Sequence, residues 1–160
     1  MYENIELFNT GILIPWEARQ LFLAAMIGLV IGLEREWRGK AASLRTFSII
    51  ATGSCLFTIL SVQAANLDQT RIAAQIVSGI GFLGGGVIFK TKDRIEGVTT
   101  GALIWLAAAI GMACGFNQNR TLFWACAVSV VAVTIIYTVY RIIHALRAHF
   151  GYEEEEETAF

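Results

Sequence analysis

Histidine is almost missing from this chain: of 160 residues only His144 and His149 carry an imidazole, both near the C-terminus and without a matching ligand set. Neither has a neighbouring acid and nucleophile, so no Ser-His-Asp arrangement can be assembled. The three cysteines, Cys55, Cys114 and Cys126, fall singly inside apolar runs with no CxxC pairing. They read as small buried hydrophobes, not as a disulfide frame or a zinc site. Charge is scarce, at 16%, and no segment collects the excess of Lys and Arg that nucleic acid requires. No basic run precedes the first apolar stretch and no small-x-small pattern follows it, so a cleaved signal peptide is not expected. The glycine-rich GFLGGG (Gly81 to Gly86) is not followed by Gly-Lys-Ser/Thr, so it is not a phosphate loop. With no nucleophile, metal set or phosphate loop in view, the expectation is a protein that is not an enzyme and has no cofactor.

What the chain does have is apolar sequence. It is 56% hydrophobic with a mean hydropathy of +0.59, against about 45–50% apolar and about 25% charged for a soluble domain. The net charge of -1 hides a segregation, because charges fall almost entirely between apolar runs. Five runs, about residues 15–33, 47–65, 72–89, 98–116 and 122–140, predict an all-α integral membrane protein of five transmembrane helices. Runs of about 17–20 residues suffice for a hydrocarbon core of about 30 Å. In the first run the most apolar part is only Leu21 to Leu33, so a four-span alternative has that run lying in the interface. Pro15 suits a first helical turn, and Trp16 an interface anchor. Residues 1–14 read as an N-terminal arm, 15–143 as the transmembrane domain and 144–160 as an acidic cytoplasmic tail ending in Glu153 to Glu157.

Nine of the twelve Lys and Arg residues lie in the links after spans one and three and in the tail, leaving Arg19, Arg71 and Arg120 on the other side. The positive-inside rule then predicts an outside N-terminus and a cytoplasmic C-terminus.

The stretch Ala74 to Thr100 organises the rest. It packs Gly79, Gly81, Gly84, Gly85 and Gly86 into eight positions before a charged link from Lys90 to Glu96. In a bilayer, glycine on a helix face lets a second backbone approach closely. Gly28 with Gly32, and Gly111 with Gly115, repeat the theme as GxxxG pairs. The packing set is therefore Gly28, Gly32, Gly79, Gly81, Gly84, Gly86, Gly111 and Gly115, in a glycine-rich helix bundle. The other reading of Gly84-Gly85-Gly86 is a local unwinding that exposes carbonyls to a solute. Thr99 and Thr100 stand at a helix start, either capping it or bonding to a neighbouring helix. Gln75, inside an apolar run, is expected to bond to another helix. Glu34, Arg35, Arg45 and Thr46 form the candidate ion or partner contact, since charge at that depth is costly unless paired or hydrated. The plainer reading is ordinary flanking charge with Glu34 as a salt-bridge partner.

GLVIGLERE at Gly28 to Glu36, LRT at Leu44 to Thr46, RIAAQIVSGIGFLGGGVIF at Arg71 to Phe89 and GVTTGALIWLAAAIGMACG at Gly97 to Gly115 together resemble the MgtC/SapB family of bacterial inner-membrane proteins. The resemblance covers about residues 20 to 140. The chain departs from the family pattern at Ser43, where Gly is frequent, and at Gly85 and Gly101, where Ala is frequent. It reads as a short member without the ACT-like C-terminal domain that some members add. The resemblance implies a multi-pass protein of the inner (plasma) membrane, connected with low magnesium or acid stress. For some members it implies inhibition of the F-type ATP synthase.

Two function classes remain. One is a non-enzymatic regulator acting through helix contacts with the bilayer's other proteins, with self-association into a dimer or higher oligomer. The other is a small oligomeric transporter or channel for Mg²⁺ or another cation. A magnesium path needs carboxylates or carbonyls around a hydrated ion, and no Asp or Glu lies well inside any span. The metal, if any, is left open, and nucleic acid is not an expected partner.

Overall fold

The structure is a computed structural model that describes residues 5–6, 13–40, 42–64, 69–92 and 94–149. Two short strands, β1 (Ile5–Glu6) and β2 (Leu13–Ile14), pair antiparallel ahead of α1 (Trp16–Trp37). Then follow α2 (Leu44–Gln63), α3 (Gln69–Gly86), the strand pair β3 (Phe89–Lys90) and β4 (Ile95–Glu96), α4 (Val98–Gly115) and α5 (Asn119–His149). Residues 1–122 make one compact unit, and residues 123–160 a second. Glu153 to Glu157 lie outside the described residues.

The first unit is a helix bundle in which α2 packs between α1 and α4, and α4 packs on to α3. Glycine sets how closely these helices pack. A Cβ built on Gly28 would stand 2.6 Å from the Phe47 carbonyl oxygen and 2.7 Å from Ser48 Cα. Gly32 presses in the same way on the Leu44 backbone, at the very start of α2. On the other side of α2, Gly111 meets the Ala51 carbonyl, and a Cβ on Gly115 would lie 2.6 Å from Thr58 Cβ. Because Gly111 to Gly115 on α4 advances together with Ala51 to Thr58 on α2, these two helices run parallel. A Cβ on Gly101 would fall 2.7 Å from Gly84 O, which joins α3 to α4. With no hydrophobic drive between helices in lipid, backbone proximity of this kind is the packing energy available.

Around these contacts the core is apolar: Phe47, Ile76, Ile80, Ile104, Ala107 and Ala108 are buried, with Ile31, Ile50, Val87, Leu103 and Met112 against them. Hydroxyls on the helices are satisfied locally. Thr52 Oγ1 donates to Ser48 O and Thr58 Oγ1 to Ser54 O, each at 2.8 Å, while Ser48 Oγ reaches across to Ala25 O at 3.3 Å.

Among the described residues three helices, α1, α2 and α4, are long and apolar enough to cross a membrane. At 22, 20 and 18 residues they measure about 27–33 Å. Helix ends depart from the hydropathy edges. α1 runs on through Glu34 to Trp37, and α2 begins at Leu44, so Arg45 and Thr46 are helical rather than part of the link. α3 stops at Gly86 instead of Phe89, because Phe89 and Lys90 are taken into the strand pair. The three glycines Gly84 to Gly86 are the last turn of a wound helix. At the start of α4 the N-cap is Gly97 with φ +85, no side chain caps it, and Thr99 and Thr100 both lie inside the first turn. Trp16 is buried against the bundle, whereas Trp37, at the other end of α1, is 91% exposed, which suits an indole at the membrane interface. Gln75 faces away from the bundle.

The second unit is helical: α5 continues through residues 144–149, so these precede any tail. In it the Phe123 and Trp124 rings meet edge to face, with centroids 5.6 Å apart.

Candidate functional site

The polar chemistry of the first unit collects at the two ends of the bundle. At one end α1 gives way to α2 through a tight link. Arg38 N and Gly39 N bond to the carbonyls of Glu34 and Glu36, and Lys40 N bonds to Arg35 O at 3.1 Å. Gly39 has φ +63 with open space around it, which lets the chain reverse. α1 keeps Gln20, Ala24, Gly28, Gly32 and Arg35 on one buried stripe, so the packing face that holds glycines below ends in a guanidinium.

Arg35 is 5% exposed, and its Nε has no hydrogen-bond partner. The nearest carboxylate oxygen, Glu34 Oε2, stands 3.4 Å away. The other Glu34 oxygen pairs closely with Arg38 Nε, one helical turn on. Glu36 Oε2 accepts from the Leu44 backbone N–H at 3.4 Å, and Ser43, the N-cap of α2, makes no side-chain cap. Of the four residues expected to form this cluster, the structure brings together Glu34 and Arg35. Arg45 is exposed and Thr46 half-buried, and among the described residues no recorded ion pair or hydrogen bond joins either to Glu34. Arg38, which the sequence reading left out, takes their place through its i,i+4 spacing from Glu34.

A carboxylate shared between two guanidinium groups has little charge left for a cation. Among the described residues no three His, Cys, Asp or Glu side chains gather into a group that could hold a metal. The end as a whole is electropositive. It carries Lys40 on the first link, Arg45 in the first turn of α2, and Lys90 and Lys92 on the β3–β4 pair and its turn, which share this end because α2 and α4 both start there.

At the opposite end, Gln20 is fully buried and its Nε2 donates to Asn117 Oδ1 in a short contact. Asn119 Nδ2 donates to the same oxygen at 3.3 Å, and Gln63 Nε2 bonds to Glu17 Oε1 at 3.1 Å. Asn117 holds φ +55 just after α4, a conformation that asparagine tolerates better than most residues. Nothing in the order of the residues pointed to this network.

The glycines divide into two groups. Gly28, Gly32, Gly84, Gly111 and Gly115 face neighbouring backbone or side chains, as does Gly101, which the sequence reading did not place in the packing set. For Gly79, Gly81 and Gly86, among the described residues, nothing lies within 4 Å of the position a Cβ would take. Among the described residues of α3, Ala73, Ile76, Ile80 and Gly84 are buried, while Ala74, Ser78, Gly81 and Gly85 are exposed and share another face. Between α3 and α4 lies a cavity of about 150 Å³ lined by Val77, Ile80, Trp105, Ala108, Ala109 and Met112. All six are apolar, so it suits hydrocarbon rather than a hydrated ion.

Comparison with known proteins matches residues 21–146 to the model of the MgtC family. An uncharacterized protein of Haemophilus influenzae is 41% identical over 149 residues, covering 86% of this chain and 62% of its own length. Protein MgtC of Salmonella typhimurium is 45% identical over 100 residues, 62% of this chain and 43% of that protein. Protein SapB of Bacillus subtilis is 41% identical over 132 residues, 76% of this chain and 57% of that protein. The chain thus spans about half the length of these curated relatives. No solved structure matches it.

Proposed function

From the premise that this chain belongs to the MgtC family, we propose that it is a non-enzymatic regulator in the bacterial inner membrane. On this reading it acts through helix contacts, with itself or with a membrane complex such as the F-type ATP synthase, in adaptation to low magnesium or acid stress. The observation that carries the reading is the face of α3 formed by Ala74, Ser78, Gly81 and Gly85, exposed on a helix that packs a different face into the bundle. Small residues on a lipid-facing helix favour close approach of a second helix. The reading takes α3 and α5 as spans beside α1, α2 and α4. That makes five in all, with the N-terminus outside and the electropositive end in the cytoplasm.

A small oligomeric cation transporter is the competing class, and it draws less support. The seams between α1, α2 and α4 are filled by backbone contact, and the α3–α4 cavity is apolar. Mild extraction from native membranes, followed by crosslinking and flux assays in proteoliposomes, separates the two. Recovery of an oligomer or a stable complex without Mg²⁺, K⁺ or H⁺ flux supports the regulator. Flux that Glu34→Gln abolishes would establish the transporter instead.

A further inference from the structure

We propose that Arg35, where α1 meets the start of α2, is the centre of a binding site for a phosphate-class oxyanion. Arg35 is 95% removed from solvent, yet its Nε has no hydrogen bond. A guanidinium carries five N–H donors and cannot lose its charge, so burying one demands acceptor oxygens. Among the described residues its ion-pair partner is one Glu34 oxygen, 3.4 Å from Nε, and Glu34 pairs with Arg38 as well. Glu34 therefore leaves the acceptor demand of Arg35 unmet, and the oxygens of a bound phosphodiester or phosphate would supply it.

The second contribution comes from α2. Gly32 sets the α1 backbone directly on Leu44 and Ser43, and Arg35 lies one turn further along the same buried stripe. It is therefore enclosed where α2 begins. The N-cap residue of that helix, Ser43, makes no side-chain cap, and the first N–H, at Leu44, is held only by a long 3.4 Å bond to Glu36 Oε2. A helix N-terminus presents N–H groups and a positive dipole end to an anion. A guanidinium fork and a row of backbone N–H groups are the two elements that bind phosphate oxygens. A phospholipid headgroup and a soluble phosphate compound offer the same chemistry at this depth. The site does not depend on the regulatory role proposed above.

The test uses the full chain in mild detergent, stripped of lipid. Its melting temperature is measured with inorganic phosphate against chloride, and with short-chain phosphatidylglycerol against diacylglycerol of the same acyl length. The expected result is a rise with one of the two phosphate probes beyond its control, and the probe that gives it identifies the source. Arg35→Gln should weaken that binding about tenfold or more, the scale of a lost charge-assisted hydrogen bond, while Lys90→Gln on the exposed strand pair leaves it within about twofold. Arg35→Lys, which keeps the charge and loses the fork, should fall between them and serves if the glutamine variant does not fold. A wild-type protein that responds to neither phosphate probe beyond its control overturns the proposal. So does an Arg35→Gln or Arg35→Lys protein that binds as tightly as wild type.

Discussion

Gln20 and Asn117, separated by 97 residues in sequence, join their side-chain amides across the bundle, Gln20 Nε2 donating to Asn117 Oδ1. The pair fastens the first turns of α1 to the turn that ends α4, and its two halves are not equivalent. Asn117 Oδ1 has a second donor in Asn119, whereas Gln20 Oε1 is buried without a partner. Gln20→Met removes a donor and an orphan acceptor together, so its expected cost is small, within about 1 kcal/mol. Asn117→Ala strands the whole buried amide of Gln20 and puts alanine at φ +55, with an expected cost of about 2–4 kcal/mol. Denaturation of the two variants in detergent checks the order. An equal cost for both would mean that the pair is not a buried contact in the folded protein.

The glycines of the inner seam and those of the outer face of α3 should behave differently. Gly111→Leu drives a side chain into the Ala51 carbonyl and Ser54, and is expected to cost about 3 kcal/mol or prevent folding. Gly81→Leu meets open space, so the protomer should keep its stability to within about 0.5 kcal/mol. If α3 is the contact helix, the same Gly81→Leu protein loses about fivefold or more in self-association measured by energy transfer in liposomes. Unchanged association would remove α3 from the proposed interface.

At Gly97 the backbone requires glycine twice over. Its φ is +85, and a Cβ would strike the Val87 carbonyl. Gly97→Ala is expected to destabilise by about 2 kcal/mol or more. Gly39 also has a positive φ, +63, but with open space around it, so Gly39→Asn should change stability by no more than about 0.5 kcal/mol. Thermal melts of the two variants side by side give the comparison.

Hydropathy locates lipid, and helical hydrogen bonding does not stop at its edge. That difference explains most of what was and was not legible in the chain. The apolar runs fall on α1, α2, α3 and α4, and the two GxxxG pairs, Gly28 with Gly32 and Gly111 with Gly115, lie where neighbouring helices come close. Charged residues looked like link, yet Glu34 and Arg35 continue α1, Arg45 belongs to the first turn of α2, and Arg141 and Arg147 continue α5, because long straight side chains are good helix formers. The strand pair of Phe89–Lys90 with Ile95–Glu96 is too short to show a period of two. The Arg38–Glu34 pair was open to the i,i+4 rule. Gln20 with Asn117 was not, since no local pattern links residues so far apart.

The orientation of the membrane domain rests on charge placement, and single cysteines can test it. Cys55 and Cys114 are buried and Cys126 is half-buried, so replacing all three with alanine or serine gives a background with little to label. Asp68→Cys in the α2–α3 link and Lys92→Cys at the β3–β4 turn then report the two sides. The last turn of α1, the α1–α2 link, the first turn of α2 and the β3–β4 pair with its turn share one end of the bundle, and together they hold seven of the twelve Lys and Arg residues. Retaining that positive charge in the cytoplasm is favoured over moving it across the bilayer. A membrane-impermeant maleimide added to intact spheroplasts should therefore label position 68 and spare position 92 until the membrane is opened. The reverse pattern would place Arg35 and its neighbours on the outer face. A phosphate ligand there would then have to come from outside the cell or from the outer leaflet, whereas the cytoplasmic placement gives it access to the anionic lipids and soluble phosphates of the interior.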